Sequence, residues 1–234
     1  MRKSKAIFLG HLGLGDHIIQ QGIVNQLCSE YDSVLLFCKH HNLDSLFHMC
    51  PKNVEICGVN DDNEVRMMVS TIKGRYDVFS VGIYEDRWQK FLKQNSSYSY
   101  YLGNTTFDQF FYMQANVDFS ESFIDIKEGD DSQKIFASLY PERDFCFVHQ
   151  DKSRGFCIDA SRVTTSLPIV EPIIRSKTIF DYVRLIKMAS EIHCIDSSFA
   201  LMIDRLNLKC PSFVHRYVRQ DSLNPTYKNM EIIN

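Results

Sequence analysis

The sequence predicts an α/β protein of two lobes, each built on a parallel sheet. Three observations predict it. The first 38 residues read strand, glycine turn, helix, strand. That is a βαβ unit, and such units cross over right-handed onto a parallel sheet. A second series of alternating strands and helices begins near Phe145. Between the two lies the polar run Lys127-Glu128-Gly129-Asp130-Asp131-Ser132-Gln133-Lys134, with the composition of a linker. The expected lobes are residues 1–126 and 135–220, with a polar tail at 221–234.

In order along the chain, Lys5–Leu9 is a short apolar strand broken by three glycines between Gly10 and Gly15. Ile18, Ile19, Ile23, Val24 and Leu27 then fall mostly on one side of a helix. Ser33–Cys38 is the next strand, and His40–Met49 a helix that stops before Pro51. Val54–Val59 reads as a strand, Asn63–Ile72 as a helix and Tyr76–Val81 as a strand. Residues 85–116 carry Trp88, Phe91, Tyr98, Tyr100, Tyr101, Phe107, Phe110, Phe111 and Tyr112 and read as helix with a long loop. Packing between lobes accounts for so many aromatic rings, and so does a wall for an acceptor.

In the second series Phe145–His149 is a strand and Asp151–Gly155 a charged turn. Phe156–Ile158 reads as a short return strand, and Pro168 and Pro172 bracket the strand-like Ile169-Val170. Thr178–Ala189 is expected to be one helix, Glu191–Ile195 a strand, Ser198–Leu206 a helix and Pro211–His215 the last strand. The tail from Asp221 is polar and expected to wander.

Bulk properties narrow the function classes. The chain has 234 residues, 44% hydrophobic and 24% charged, as in an ordinary globular protein. A net charge of -3 gives no general attraction to nucleic acid or to an anionic membrane. No run approaches the roughly 20 apolar residues of a membrane span. The opening Met1-Arg2-Lys3-Ser4-Lys5 is basic, but Ala6-Ile7-Phe8-Leu9 is too short for a signal-peptide core. Eight cysteines without paired spacing, several in apolar strands, read as reduced thiols of a cytoplasmic protein. Cys38, His40, His41, His48 and Cys50 cluster in sequence but match no zinc-ligand spacing.

Three turns carry the chemistry. In Gly10-His11-Leu12-Gly13-Leu14-Gly15-Asp16-His17 the glycines are not spaced as a dinucleotide fingerprint, and no Lys-Ser/Thr follows as in a P-loop. Glycines here still let the backbone approach a ligand at a helix N-terminus. Asp16 suits either a cap of that helix or a general base at the sheet's carboxyl edge. His17 suits packing, capping or orientation of an acceptor. At the second turn, Asp196-Ser197-Ser198 follows a strand and opens a helix, either as a plain N-cap or as an anion site. At the third, His149-Gln150-Asp151-Lys152-Ser153-Arg154-Gly155 puts Lys152 and Arg154 beyond a strand end. Both can grip phosphate, although charged turns are commonly just solvated.

The glycine turn ending in Gly15-Asp16, with its apolar helix, resembles the N-terminal signature of the heptosyltransferase-like (ADP-heptose:LPS) glycosyltransferases. The helix from Thr178 and the strand leading into Asp196-Ser197-Ser198 resemble that family's donor-binding end. The resemblance covers about 20 residues at the start and about 60 at the end. It implies a GT-B-like fold of two Rossmann-like lobes, here with a reduced C-terminal lobe because the chain is short. It implies metal-independent, inverting transfer from a nucleotide-sugar, a co-substrate rather than a bound cofactor, to a glycan or other hydroxyl acceptor. Carried over by position, Asp16 is the base, with Gly13, Gly15 and His17 on the acceptor side. Asp196, Ser197 and Ser198 form the donor-phosphate turn, and Lys152 loosely matches the basic diphosphate contact, with Arg154 and His149 beside it.

Two rival readings stand beside this one. The same fold with an eroded site would bind a nucleotide or sugar without turnover. A Rossmann-type enzyme with another nucleotide cofactor, such as S-adenosylmethionine, would want an acidic residue closing the second strand. That strand ends instead at Cys38-Lys39-His40.

Overall fold

The computed structural model describes residues 3–72, 74–82, 105–219 and 224–234. The chain divides into two compact units. One comprises Met1–Ile124 with Leu223–Thr226, the other Asp125–Ser222 with Tyr227–Asn234.

In the first unit, β1 (Lys3–Leu9), α1 (Leu14–Glu30), β2 (Tyr31–Lys39), α2 (Leu43–Met49), β3 (Val54–Val59), α3 (Asp62–Ile72) and β4 (Asp77–Ser80) follow one another, and α4 (Phe107–Ala115) comes later. The four strands form one parallel sheet in the order β3-β2-β1-β4. Ala6, Ile7 and Phe8 in β1 are fully buried, as expected of a central parallel strand covered on both faces. Ile18, Ile19, Ile23, Val24 and Leu27 of α1 are all buried too. A capping box of Thr106 and Gln109 starts α4, and Asn116 in the left-handed region ends it. The Tyr112 hydroxyl of α4 donates to the Ile19 carbonyl at 2.7 Å, tying α4 to α1. The aromatic residues Trp88, Phe91, Tyr98, Tyr100 and Tyr101 lie outside the described residues.

In the second unit, α5 (Ser132–Leu139), β5 (Cys146–His149), β6 (Ile169–Val170), α6 (Val183–Lys187), β7 (Glu191–Ile195), α7 (Ser198–Arg205), β8 (Ser212–His215) and β9 (Glu231–Ile233) appear in that order. Its sheet is parallel throughout, in the order β6-β5-β7-β8-β9. The polar run 127–134 packs around the buried Asp181. The Asp131 amide donates to its carboxylate at 3.1 Å, and a side chain on Gly129 would lie 2.2 Å from its Oδ1.

Three expectations for this unit are corrected. Phe156–Ile158 is no strand, since only an isolated antiparallel bridge joins Asp151 to Phe156. The expected helix 178–189 is a 3-10 turn over Ile179–Tyr182 followed by α6. There the Asp181 carboxylate takes hydrogen bonds from Ser176 and Thr178, which holds the first turn tight. The tail does not wander: β9 pairs with β8, and the Asp204 carboxylate anchors its approach by accepting from the Lys228 and Asn229 amides at 2.9 and 2.6 Å.

The eight cysteines are free thiols. No helix among the described residues is long and apolar enough to cross a membrane.

The strand order of each sheet contains one reversal. In the first sheet successive strands run β1-β2-β3 to one side, then β4 joins the other side of β1. In the second, β6 lies on one side of β5 and β7 on the other. Open parallel sheets bind ligands at the carboxyl ends of strands flanking such a reversal. The turn Gly10–Gly13 follows β1, and His149 and Asp196–Ser198 end or follow β5 and β7. Each unit thus has one reversal, and each reversal holds a turn singled out by sequence.

Candidate functional site

In the first unit Gly13 is the N-cap of α1, with φ -72° and ψ 147°, and Asp16 is the helix's third residue. Asp16 lies in the first turn of α1, among N–H groups that favour a negative charge. Its Oδ1 lies 3.6 Å from His11 Nδ1, and the two side chains are 26% and 22% exposed, open enough to meet a ligand. A side chain at Gly13 would come within 2.5 Å of Asp16 Oδ2.

The His11 ring is itself held. It packs edge-on against Phe111, with ring centroids 4.9 Å apart. Gly82, just past β4, has φ +63°, and a side chain there would lie 2.1 Å from His11 Nε2. The Gly82 amide donates to Gln114 Oε1 at 2.7 Å, fixing that approach. The buried Asn42 side chain donates to the Leu12 carbonyl at 3.1 Å and holds the turn from the side of β2. Gly15 lies within the first turn of α1. His17 is 2% exposed, its pKa is lowered by burial to about 4, and its Nε2 has no hydrogen-bond partner. It is a buried, neutral core residue.

In the second unit the carboxyl ends of β5 and β7 bring His149 and Ser197 together, with His149 Nδ1 3.3 Å from Ser197 Oγ. The His149 ring stacks on Phe199 at 4.1 Å, and burial pushes its pKa down to about 4. Ser197 is the N-cap of α7 but its hydroxyl makes no cap bond. The Ser197 side chain thus does not satisfy the first-turn N–H groups of α7, next to Ser198.

Asp196 is turned inward. It is 4% exposed, its Oδ1 accepts from the Tyr227 hydroxyl at 2.7 Å, and its carbonyl accepts from Arg219 Nη1 at 2.7 Å. Burial, then the neighbouring Asp196, raises the Tyr227 pKa well above its usual value. Asp196 thus anchors the chain around the turn, whereas Ser197 and Ser198 border it.

Lys152 pairs with Glu171 at 2.8 Å and Arg154 with Asp151, and both cations are 62% exposed. They stand in a 3-10 turn just past β5. Two cations missed by sequence reasoning lie in the unit as well: Arg216 and Arg219, in the 3-10 turn that follows β8. The guanidinium groups of Arg154 and Arg219 both lie over the Phe156 ring, at 5.5 and 5.2 Å from its centroid. Their signal was the run Arg216-Tyr217-Val218-Arg219 at a strand end. His11 and Gly82 were also missed, because 71 positions separate the residues that meet there.

No family model and no curated protein matches the sequence. Solved structures do match. One is the ADP-heptose lps heptosyltransferase II of E. coli, at TM-score 0.59 and 12% identity, covering 98% of this chain and 90% of that one. A glycosyl transferase family 9 protein from Veillonella parvula matches at TM-score 0.56 and 11% identity, over 92% and 80% of the two chains. The iron-containing dodecameric glycosyltransferase TibC of enterotoxigenic E. coli matches at 0.54 and 10%, over 92% and 58%. The chain therefore has the GT-B fold of these glycosyltransferases, two α/β units on parallel sheets.

Proposed function

We propose that the protein transfers a sugar from a nucleotide-sugar to a hydroxyl of a glycan or other acceptor, with inversion at the anomeric carbon. The observation that carries this reading is that each unit has chemistry of its own at its strand-order reversal. A carboxylate beside a histidine stands at one, and an uncapped helix start with nearby cations at the other. The likeness to heptosyltransferase II, whose name states an ADP-heptose donor, supports a nucleotide-sugar as co-substrate.

In this mechanism Asp16 takes the proton of the acceptor hydroxyl as its oxygen bonds to the anomeric carbon. The bond from that carbon to the diphosphate breaks, and a nucleoside diphosphate leaves with the electron pair. General-base assistance of this kind contributes about 10²–10⁴-fold. His11 positions the Asp16 carboxylate. Lys152, Arg154 and the helix start at Ser197 and Ser198 carry the leaving diphosphate's charge, with Arg219 beside them. Their positive charge does the work a divalent ion does elsewhere, so the transfer is metal-independent. The free thiols suit the reducing cytoplasm.

A second reading has one observation in its favour: Lys152 and Arg154 already hold carboxylate partners. A binding protein without turnover could keep its cations so paired. A thermal-shift screen with nucleotide-sugars, NAD and S-adenosylmethionine, followed by nucleoside diphosphate release assays, separates the readings. Stabilisation by a nucleotide-sugar with release supports transfer. Stabilisation without release supports the binding protein, and stabilisation by the controls alone overturns both.

A further inference from the structure

At the amino-terminal edge of the second sheet, away from the turn at His149 and Ser197, Cys146, Glu191 and His193 bring three ligand atoms within 4.8 Å of one another. From this convergence we propose a binding site for a borderline-soft divalent metal ion, zinc or ferrous iron in class. No step of the proposed transfer uses it. Cys146 opens β5 and Glu191 opens β7, and the two are direct register partners, so they share one face. His193 lies two residues further along β7 and on that same face. The strand pairing that builds the sheet therefore fixes the three donors. Cys146 lies about 10 Å along the strand from His149, so an ion there does not touch the diphosphate.

The donor set selects the metal. A thiolate and an imidazole exclude magnesium and calcium, which take oxygen ligands, and favour zinc or iron. Two anionic ligands, thiolate and carboxylate, cancel a divalent charge, so the buried centre is neutral. Zinc holds such ligands at about 2.0–2.3 Å in a tetrahedron, which spaces them about 3.4–3.6 Å apart. The present Glu191 Oε1 to His193 Nε2 separation is 2.7 Å, so insertion opens it by less than about 1 Å. The Glu191 side chain is 21% exposed and that of His193 4%, which leaves entry, and a fourth position for water, on the Glu191 side.

The surroundings are those of a ligand histidine. His193 Nδ1 lies 2.8 Å from Nε2 of the fully buried His215 on β8. With Nε2 on the metal, Nδ1–H donates to His215, and metal-bound histidines nearly always donate their second N–H in this way. The His193 ring also stacks on Phe213 at 4.8 Å, which fixes its plane.

The test titrates chelator-treated protein with CoCl2, following thiolate-to-cobalt charge-transfer absorption, and measures melting with ZnCl2 or MgCl2. We expect one equivalent of cobalt with that band, and a melting temperature raised by zinc and not by magnesium. Cys146→Ser loses the band. Glu191→Gln, which keeps the bond to His193 and touches a partly exposed group, weakens cobalt binding by about tenfold or more. Cys38→Ser, a buried thiol of the other unit, leaves the titration unchanged. The proposal is overturned by absence of the band, by weaker than millimolar binding, or by the same band in Cys146→Ser. If Cys146→Ser does not fold, unchanged affinity in Glu191→Gln overturns it.

Discussion

The Asp16 carboxylate rests against the backbone of Gly13: a side-chain carbon there would lie 2.5 Å from Asp16 Oδ2. Gly13 has φ -72°, an angle every residue adopts, so its glycine is explained by space rather than by backbone conformation. Asp16 can hold its present position only while residue 13 lacks a side chain.

Gly13→Ala is accordingly a probe of position with little effect on folding. The variant is expected to melt within a few degrees of the parent, since a poorer N-cap costs about 1 kcal/mol. Transfer is expected to fall about 10²-fold, the effect of moving a reacting group by about 1 Å. Parallel melting curves and initial rates check both. Parental rates would show that the carboxylate's placement does not matter.

Lys152 and Glu171 form an exposed pair at 2.8 Å, which contributes about 0–1 kcal/mol to stability. Lys152→Met should leave melting unchanged while weakening donor binding roughly 10- to 100-fold, the worth of a charge-assisted hydrogen bond. Glu171→Gln removes the competing carboxylate and should tighten donor binding. Isothermal titration with the nucleoside diphosphate measures both, and opposite shifts are the expected result.

Tyr227→Phe deletes the hydroxyl that donates to the buried Asp196 carboxylate. Leaving that acceptor short of a donor is expected to cost about 1–3 kcal/mol in urea unfolding. Hydrogen exchange should rise first in β9, which enters the sheet at Glu231, four residues after Tyr227.

Stability should fall in mild acid. His17 and His149 titrate near pH 4 in the folded protein because burial disfavours their charged forms. In the unfolded chain they titrate near about 6.5. Between those values the unfolded state binds more protons, so their contribution is complete above about pH 6.5 and is lost as the pH falls toward 4. Each group adds a slope of about 1.4 kcal/mol per pH unit in that window. His17→Leu, which gives up no hydrogen bond at Nε2, should flatten the slope by about one such increment. Urea midpoints from pH 4.5 to 7 measure it.

Local patterns carried much of this. Lys5–Leu9, the glycines and the apolar spacing from Ile18 to Leu27 made β1 and α1 legible, because an apolar run and a helical period are properties of neighbours in sequence. Strands β5, β6, β7 and β8 of the second unit were legible for the same reason. What failed depended on distant partners. Residues 178–189 look like one helix until the Asp181 carboxylate gathers its donors, and Glu231-Ile232-Ile233 pairs with β8 after Asp204 has taken hold of the chain ahead of it. Asp16 stood out through its glycines, whereas His11 acquires a role only when Gly82 returns to it. Asp196, legible as a polar turn residue, is buried by a tyrosine 31 positions later.

Asp16 as the base of a sugar transfer is the proposal on which the others depend. Nucleoside diphosphate release from a nucleotide-sugar and acceptor, measured for the parent and Asp16→Asn alongside donor affinity by calorimetry, tests it most directly. Asp16→Asn is expected to lose about 10²–10⁴-fold in rate while donor affinity stays within about threefold, a shift under about 0.7 kcal/mol. Equal turnover in parent and variant would rule out Asp16 as the base.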